Sequence, residues 1–127
     1  MAIYDQAWCD SLAGTVGSGS SGHAPMLLLY VITDTEEGKV AFNLELDKGG
    51  IVAAAEGKFP RGTKADVTVT VKEPVIQALW AGERTRDEAF MAGDLKIEGA
   101  YERWLDELVP LFEAEPWSSA WAASITS

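Results

Sequence analysis

The chain is short of the residues that most chemistry needs. Its 127 residues include one cysteine, Cys9, and one histidine, His23. A single cysteine excludes an intrachain disulfide and any multi-cysteine metal site, and with one histidine it cannot complete a zinc set. Basic residues are scarce as well: ten Lys and Arg stand against twenty Asp and Glu, a net charge of −10. That field repels phosphate backbones and anionic lipid surfaces, which argues against nucleic-acid partners and electrostatic membrane docking. Long apolar runs are missing. The longest, residues 24–32, contains Pro25 and is too short to span a bilayer, so stable membrane anchoring is not expected. No charged segment precedes a cleavable apolar stretch, and Ser124-Ile125-Thr126-Ser127 is not a peroxisomal address. A cytoplasmic location is the default expectation.

Catalytic constellations are absent too. His23 sits close to Pro25 in a Gly/Ser-rich segment and reads as a solvated loop residue. Cys9 has no basic neighbour to activate it and reads as a packed thiol. Ser11, Ser18 and Ser20 lack a Gly-x-Ser-x-Gly elbow. The glycines of residues 14–22 are not followed by Gly-Lys-Ser/Thr, so they form no phosphate-cradling loop; residues 14–25 read as a flexible connector. Asp34-Thr35-Glu36-Glu37-Gly38 lacks calcium-loop spacing. Asp87 with Glu88, and Asp106 with Glu107, are sequence neighbours on helices and do not face one another. No metal and no cofactor is expected. The remaining enzymatic reading is a small-molecule enzyme using a buried carboxylate, with Asp66 or Asp94 as the candidate.

What is present is an ordinary globular composition, 47% hydrophobic and 24% charged, long enough for one domain over residues 1–127 with a sizeable interior. Tyr4, Ala7, Trp8 and Leu12 recur at helical spacing and predict a short first helix that ends at the glycines from Gly14. Met26 to Thr33 is apolar on both faces and predicts a central strand covered on two sides. Val40, Phe42, Leu44 and Leu46 alternate with polar or small residues, and Ile51 to Glu56 follows a Lys-Gly-Gly turn, so three strands form a meander. Ala65 to Val71 alternates with Val67, Val69 and Val71 inward. Glu73-Pro74 opens a helix that ends at Ala81-Gly82, and a second helix capped by Thr85 or Asp87 ends at Gly93. Leu95 and Ile97 mark a fifth strand. A long amphipathic helix runs from Ala100 through Phe112, with Pro110 expected to break or kink it near Val109. The order α-β-β-β-β-α-α-β-α predicts an α+β fold: a five-stranded, mostly antiparallel sheet covered on one face by helices.

Bulk apolar side chains are plentiful. Four of the five tryptophans, Trp80, Trp104, Trp117 and Trp121, lie in the C-terminal half with Phe90, Met91, Leu108 and Phe112. Ordinary core is one reading of them. The other is the lining of an apolar cavity between sheet and helices, where aromatic and thioether groups adapt to apolar ligands better than β-branched ones.

Two segments carry a family resemblance. Ala65-Asp66-Val67-Thr68 and Ala89-Phe90-Met91-Ala92-Gly93, running through Leu95-Lys96 to Gly99, are similar to the "AD-x-T" strand and "AF-M-x-G-x-LK-x-x-G" junction of the sterol carrier protein-2 family. Leu79-Trp80-Ala81-Gly82 is similar to the family's "L-x-x-G" segment, and the likeness covers roughly residues 24–112. The resemblance implies a sheet and helices enclosing an apolar tunnel that binds fatty acids, fatty acyl-CoA, sterols or related lipids without catalysis. It makes Trp80, Phe90, Met91, Trp104, Leu108 and Phe112 candidates for the tunnel wall, and the tail at 115–127, with Trp117 and Trp121, a candidate lid. The acidic charge favours holding or presenting a soluble amphiphile over shuttling between anionic membranes. The alternative partner is a second copy or a larger enzyme, docked through the aromatic C-terminal surface.

Overall fold

The computed structural model describes residues 4–17 and 24–125; residues 18–23 of the Gly/Ser connector, His23 among them, lie outside the described residues. Helix α1 (Gln6–Val16) precedes strands β1 (Met26–Thr35), β2 (Gly38–Asp47), β3 (Gly50–Glu56) and β4 (Val67–Lys72). Helices α2 (Glu73–Trp80) and α3 (Arg86–Met91) follow, then β5 (Leu95–Gly99). The chain closes with α4 (Tyr101–Arg103), a π-helical turn (Trp104–Leu108), α5 (Val109–Glu113) and α6 (Trp117–Ser124).

The sheet order is β3-β2-β1-β4-β5. Three of its pairings are antiparallel and the central one, β1 with β4, is parallel. The meander of β1, β2 and β3 is as expected. A parallel neighbour for β1 requires a crossover, and residues 57–66 make it beside Leu29 and Thr68 on the face away from the helices. That face of β1 is therefore half-covered: Leu27 and Leu29 are partly exposed while Leu28, Tyr30 and Ile32 are fully buried. Helices cover one side of the sheet only.

Asp66 explains why the "AD-x-T" segment stands where it does. Its carboxylate accepts from Leu27 N–H at 2.8 Å, its own N–H donates to Leu27 O at 2.8 Å, and its carbonyl accepts from Ala100 N–H at 2.8 Å. One residue thus ties the ends of β1, β4 and β5 together. The carboxylate lies on an exposed residue, and Asp94 is equally exposed in an ion pair with Arg84 at 3.0 Å. Neither is the buried carboxylate that the enzymatic alternative requires.

Three helical expectations are corrected. Helix α1 continues past Gly14 to Val16, and its buried face is Trp8, Cys9, Leu12 and Val16, with Ala7 exposed. Burial, reinforced by Asp10, Glu56 and Asp5, pushes the Cys9 thiol up to about 12, so the thiolate is scarce at neutral pH. Pro110 does not break the long helix. It lacks the N–H that the carbonyl four residues earlier would need, and the chain widens just before it, with Val109 N–H reaching Trp104 O. The aromatic tail expected from 115 is helical over Trp117–Ser124. It forms α6, whose Trp117, Ala120 and Trp121 are buried, and Trp117 Nε1 donates to Gly49 O at 2.7 Å. Helix α1 joins the same layer, Trp8 Nε1 donating to Ser124 O at 2.7 Å.

Candidate functional site: an aromatic cleft with a buried arginine

Between the end of α2, the 81–85 turn, α3, α5 and α6 lies an open cleft of about 440 Å³. Its volume is within the range typical of small-molecule sites. Leu79, Trp80, Phe112 and Trp121 supply apolar wall, and Arg84, Thr85, Glu115, Ser118 and Ser119 supply polar groups. The local sequence accounts for the wall. Ile76, Leu79 and Trp80 are spaced three and four apart on α2 and turn to the core together. Gly82, at φ +82°, lets the chain reverse after Ala81.

Thr85 then restarts the helix through a capping box: its hydroxyl accepts from Glu88 N–H at 3.1 Å, while Glu88 accepts from Thr85 N–H at 3.1 Å. The Thr85 hydroxyl also donates to Glu88 Oε1 at 3.0 Å, and this bond first, with the Thr85 N–H bond second, holds the Glu88 carboxyl below its usual range. A depressed folded-state pKa contributes stability above the unfolded pKa and loses it as pH falls through the folded value. Thr85→Ala is expected to cost about 1 kcal/mol at pH 7. Urea unfolding should show that difference shrinking as the pH is lowered below the usual carboxylate range.

The cleft backs onto a ring cluster. Trp80 and Trp121 stack with centroids 4.8 Å apart and planes within 1°. Tyr30 packs edge-on to both, at 6.3 Å and 5.9 Å, and stacks on Phe42 at 4.9 Å. Trp8 and Tyr4 complete the cluster against Phe42 and Trp80. The resemblance implies a tunnel here, but these rings occupy the interior, and the space beside them is a cleft open to solvent.

The candidate wall residues separate into groups. Trp80, Phe112 and Trp121 line the cleft. Trp117 stands behind them, 4.6 Å from Phe112 and 5.3 Å from Trp121. Trp104 is buried farther back, edge-on to Phe112 at 6.1 Å. Leu108 lines a separate small void with Met26 and Leu111. Phe90 is half-buried against the core. Met91 is 83% exposed and forms no part of any interior wall, because it follows Ala89 and Phe90 around α3 onto the solvent side. Trp117 and Trp121 are 0% and 1% exposed, so they do not form the outward aromatic surface that docking through the C-terminal segment requires.

Sequence reasoning missed Arg86. It is only 3% exposed and lines the cleft. Its backbone N–H donates to Glu113 Oε2 at 3.0 Å, and Nη1 lies 3.6 Å from the same oxygen, beyond hydrogen-bonding reach. The guanidinium lies over the Phe112 ring, 5.5 Å from its centroid. Nε and Nη2 have no partner. Burial pulls the Arg86 pKa down, and nearby Tyr30 and Glu113 act the other way; a guanidinium stays charged at any physiological pH. The sequence signal was its spacing: Arg86, Ala89 and Phe90 fall at i, i+3 and i+4, one helical face.

The rim is otherwise self-satisfied. Ser118 and Ser119 hydroxyls donate to Glu115 Oε1 at 2.9 Å and 2.6 Å, Ser119 foremost in holding that carboxyl below its usual range. Among the described residues no group of three or more His, Cys, Asp and Glu could hold a metal ion, and no helix is long and apolar enough to cross a membrane.

Comparison with known proteins places this geometry in context. The model of the SCP-2 sterol transfer family matches residues 26–104. The hydroxysteroid dehydrogenase-like protein 2 of Xenopus laevis is 36% identical over 70 residues, 55% of this chain and 16% of the relative. The chain thus spans about a sixth of the length of that curated relative. A conserved hypothetical protein from Thermus thermophilus superposes with a TM-score of 0.75 at 15% identity, over 100% of this chain and 92% of the other. The palmitated SCP2L2 of Aedes aegypti gives a TM-score of 0.64 at 19% identity, over 84% and 88%.

Proposed function

The chain belongs to the SCP-2 sterol transfer family, and on that footing we propose that it holds one long-chain or polycyclic apolar ligand in the cleft beside Trp80 and Trp121. The observation that carries this reading is the aromatic wall. Leu79, Trp80, Phe112 and Trp121 line a void of ligand size, continuous with a ring cluster and bordered by polar groups. An apolar wall with a polar rim matches an amphiphile, not a wholly soluble metabolite. Deeper insertion proceeds by parting the stacked Trp80–Trp121 pair, which carries no hydrogen bond across its faces.

Affinity comes from burial. About eight methylenes at about 0.8 kcal/mol each contribute roughly 6 kcal/mol, or a Kd on the order of tens of micromolar before ordering costs. Titration with 1-dodecanol while tryptophan emission is recorded is expected to saturate in the micromolar to millimolar range. Native mass spectrometry of gently purified protein is expected to show one bound lipid-sized adduct. A flat fluorescence titration, with no adduct, would remove the reading.

A second reading rests on the length of the curated relative. A segment similar to this one forms a minor part of a much longer protein, so the same cleft can present an apolar ligand to a larger enzyme. In that case the ligand affinity is unchanged, and a partner enzyme's turnover of the bound amphiphile rises when the protein is added.

A further inference from the structure

Charge is unevenly placed on the side of the sheet that the helices leave open. Three of the ten bases, Lys58, Arg61 and Lys64, fall in the crossover of residues 57–66, against one of the twenty acids, Asp66. Among the described residues none of the three makes an ion pair, whereas Lys72, Arg84, Lys96 and Arg103 each meet a carboxylate. Lys58 and Lys64 border an open hollow of about 480 Å³ with Leu29, Phe59 and Thr68. A second hollow, of about 310 Å³, is bordered by Asp5, Glu37, Ala41 and Glu56. Asp5 caps α1, its carboxylate accepting from Trp8 N–H at 2.8 Å. Among the described residues the side chains of Glu37 and Glu56 make no hydrogen bond or ion pair; only their backbone N–H groups donate to side chains. The basic and acidic hollows meet at Glu56-Gly57-Lys58. Gly57 is fixed to the sheet there: its N–H donates to Ala41 O at 2.8 Å and its carbonyl accepts from Asn43 Nδ2 at 2.9 Å. The same face carries apolar surface. Leu29, Asn43 and Ala55 stand opposite one another across β1, β2 and β3, as do Leu27, Glu45 and Ala53, and none of the four apolar members is fully buried.

We infer that this face of the sheet pairs with the same face of a second copy of the chain. A two-fold axis lying across Glu56-Gly57-Lys58 sets the basic hollow of one copy on the acidic hollow of the other. The same axis repeats the contact in reverse, so a single patch is self-complementary and closes a dimer. Charge complementarity selects this occupant. Two chains of net charge −10 repel at long range, but that field is screened beyond about 8 Å at physiological salt, whereas opposite charges brought into contact are not. Burial of apolar surface supplies the affinity, and the charges fix the register. Stable pairs usually cover about 800 Å² on each copy, so contact extends beyond the two hollows onto Leu27, Leu29 and Ala53. The cleft beside Trp80 and Trp121 lies among the helices, on the other side of the sheet, and stays open in the pair. The inference is therefore independent of the ligand reading.

The test is a charge swap read by sedimentation velocity at about 0.15 M salt. Wild type is expected to pass from monomer to dimer as its concentration rises through the micromolar range. The double variant Lys58→Glu, Lys64→Glu sets acid against acid, and Glu37→Lys, Glu56→Lys sets base against base. Each should weaken the dimer at least about tenfold, because like charges facing across an interface are strongly unfavourable. The second variant lowers the net negative charge, so its loss of dimer cannot come from general repulsion. All four residues are exposed, and far-UV circular dichroism should be unchanged in both variants. Mixing the two variants one to one should restore a mixed dimer, since both contacts are again of opposite sign. Wild type that stays monomeric into the millimolar range overturns the inference. Saturable binding of a poly-glutamate peptide by such a monomer would assign the basic hollow to a foreign acidic segment instead. A dimer indifferent to both charge reversals, or variants that fail to pair on mixing, overturns it equally.

Discussion

Trp121→Ala is expected to destabilise the protein by about 4 kcal/mol, the scale of emptying a large aromatic from a core. Trp121 is 1% exposed and touches four other rings: Trp80 at 4.8 Å, Trp117 at 5.3 Å, Phe112 at 5.4 Å and Tyr30 at 5.9 Å. Its indole nitrogen has no partner, so truncation orphans nothing, and the whole loss is packing and transfer. Helix α6 is eight residues long, too short to stand without its buried face. Removing one of its two indoles should loosen the C-terminal segment as well as the core. Trp121→Phe, which keeps a ring against Trp80, should cost less than half as much. The check is urea unfolding followed by far-UV circular dichroism, with the midpoint and slope read separately. A loss under about 1 kcal/mol would show that α6 is not docked through this ring in solution.

The same substitution separates stability from binding. The space vacated by Trp121 borders the cleft, so 1-dodecanol should raise the variant's unfolding midpoint by more than it raises the wild type's. A ligand that binds only the folded state stabilises in proportion to the logarithm of its concentration over Kd.

The sheet was legible because its strands bury one face and so alternate strictly, as Val67, Val69 and Val71 do at 0%, 0% and 2% exposure. Two elements were not. Helix α6 carries no charges and is mostly alanine and serine around its two tryptophans, so it has no polar face to contrast with an apolar one. Its position is set by distant partners, Gly49 O and the carbonyl end that receives Trp8 Nε1. The π-helical turn was invisible for a related reason: proline predicts a lost hydrogen bond but not whether the helix breaks or widens. The site was half legible. Trp80, Phe112 and Trp121 could be named from apolar bulk, whereas Met91 has the same character and lies outside. Arg86 was unreadable as a buried residue because charge ordinarily means surface; only its spacing with Ala89 and Phe90 pointed inward. Whether aromatic side chains leave a tunnel or fill it is a matter of ring packing, which no periodicity encodes.

Gly99→Ala is expected to cost at least about 3 kcal/mol of folding stability, although it adds a single methyl. Two costs coincide. Gly99 has φ +90°, where a Cβ is disfavoured by about 1–2 kcal/mol. A Cβ there would also drive into the carbonyl oxygen of Asp66 and lie 3.1 Å from its carbonyl carbon and 3.5 Å from Val67 Cα. Those atoms are backbone and cannot rotate aside. Gly99 is paired with Val67 across β4 and β5, and the crowded oxygen is the one that accepts from Ala100 N–H. Relief therefore means opening that hydrogen bond and moving Asp66, whose carboxylate and N–H hold Leu27 of β1. One methyl loads the junction of three strands, which is the physical reason for glycine at the end of the β5 segment. Gly93→Ala supplies the internal control. Gly93 has φ +81° with nothing within 4 Å of the added Cβ, so it should show the backbone cost alone. Equilibrium unfolding of the two variants side by side reads the difference. If Gly99→Ala is no worse than Gly93→Ala, the close approach of β5 to Asp66 is not a constraint on the folded protein.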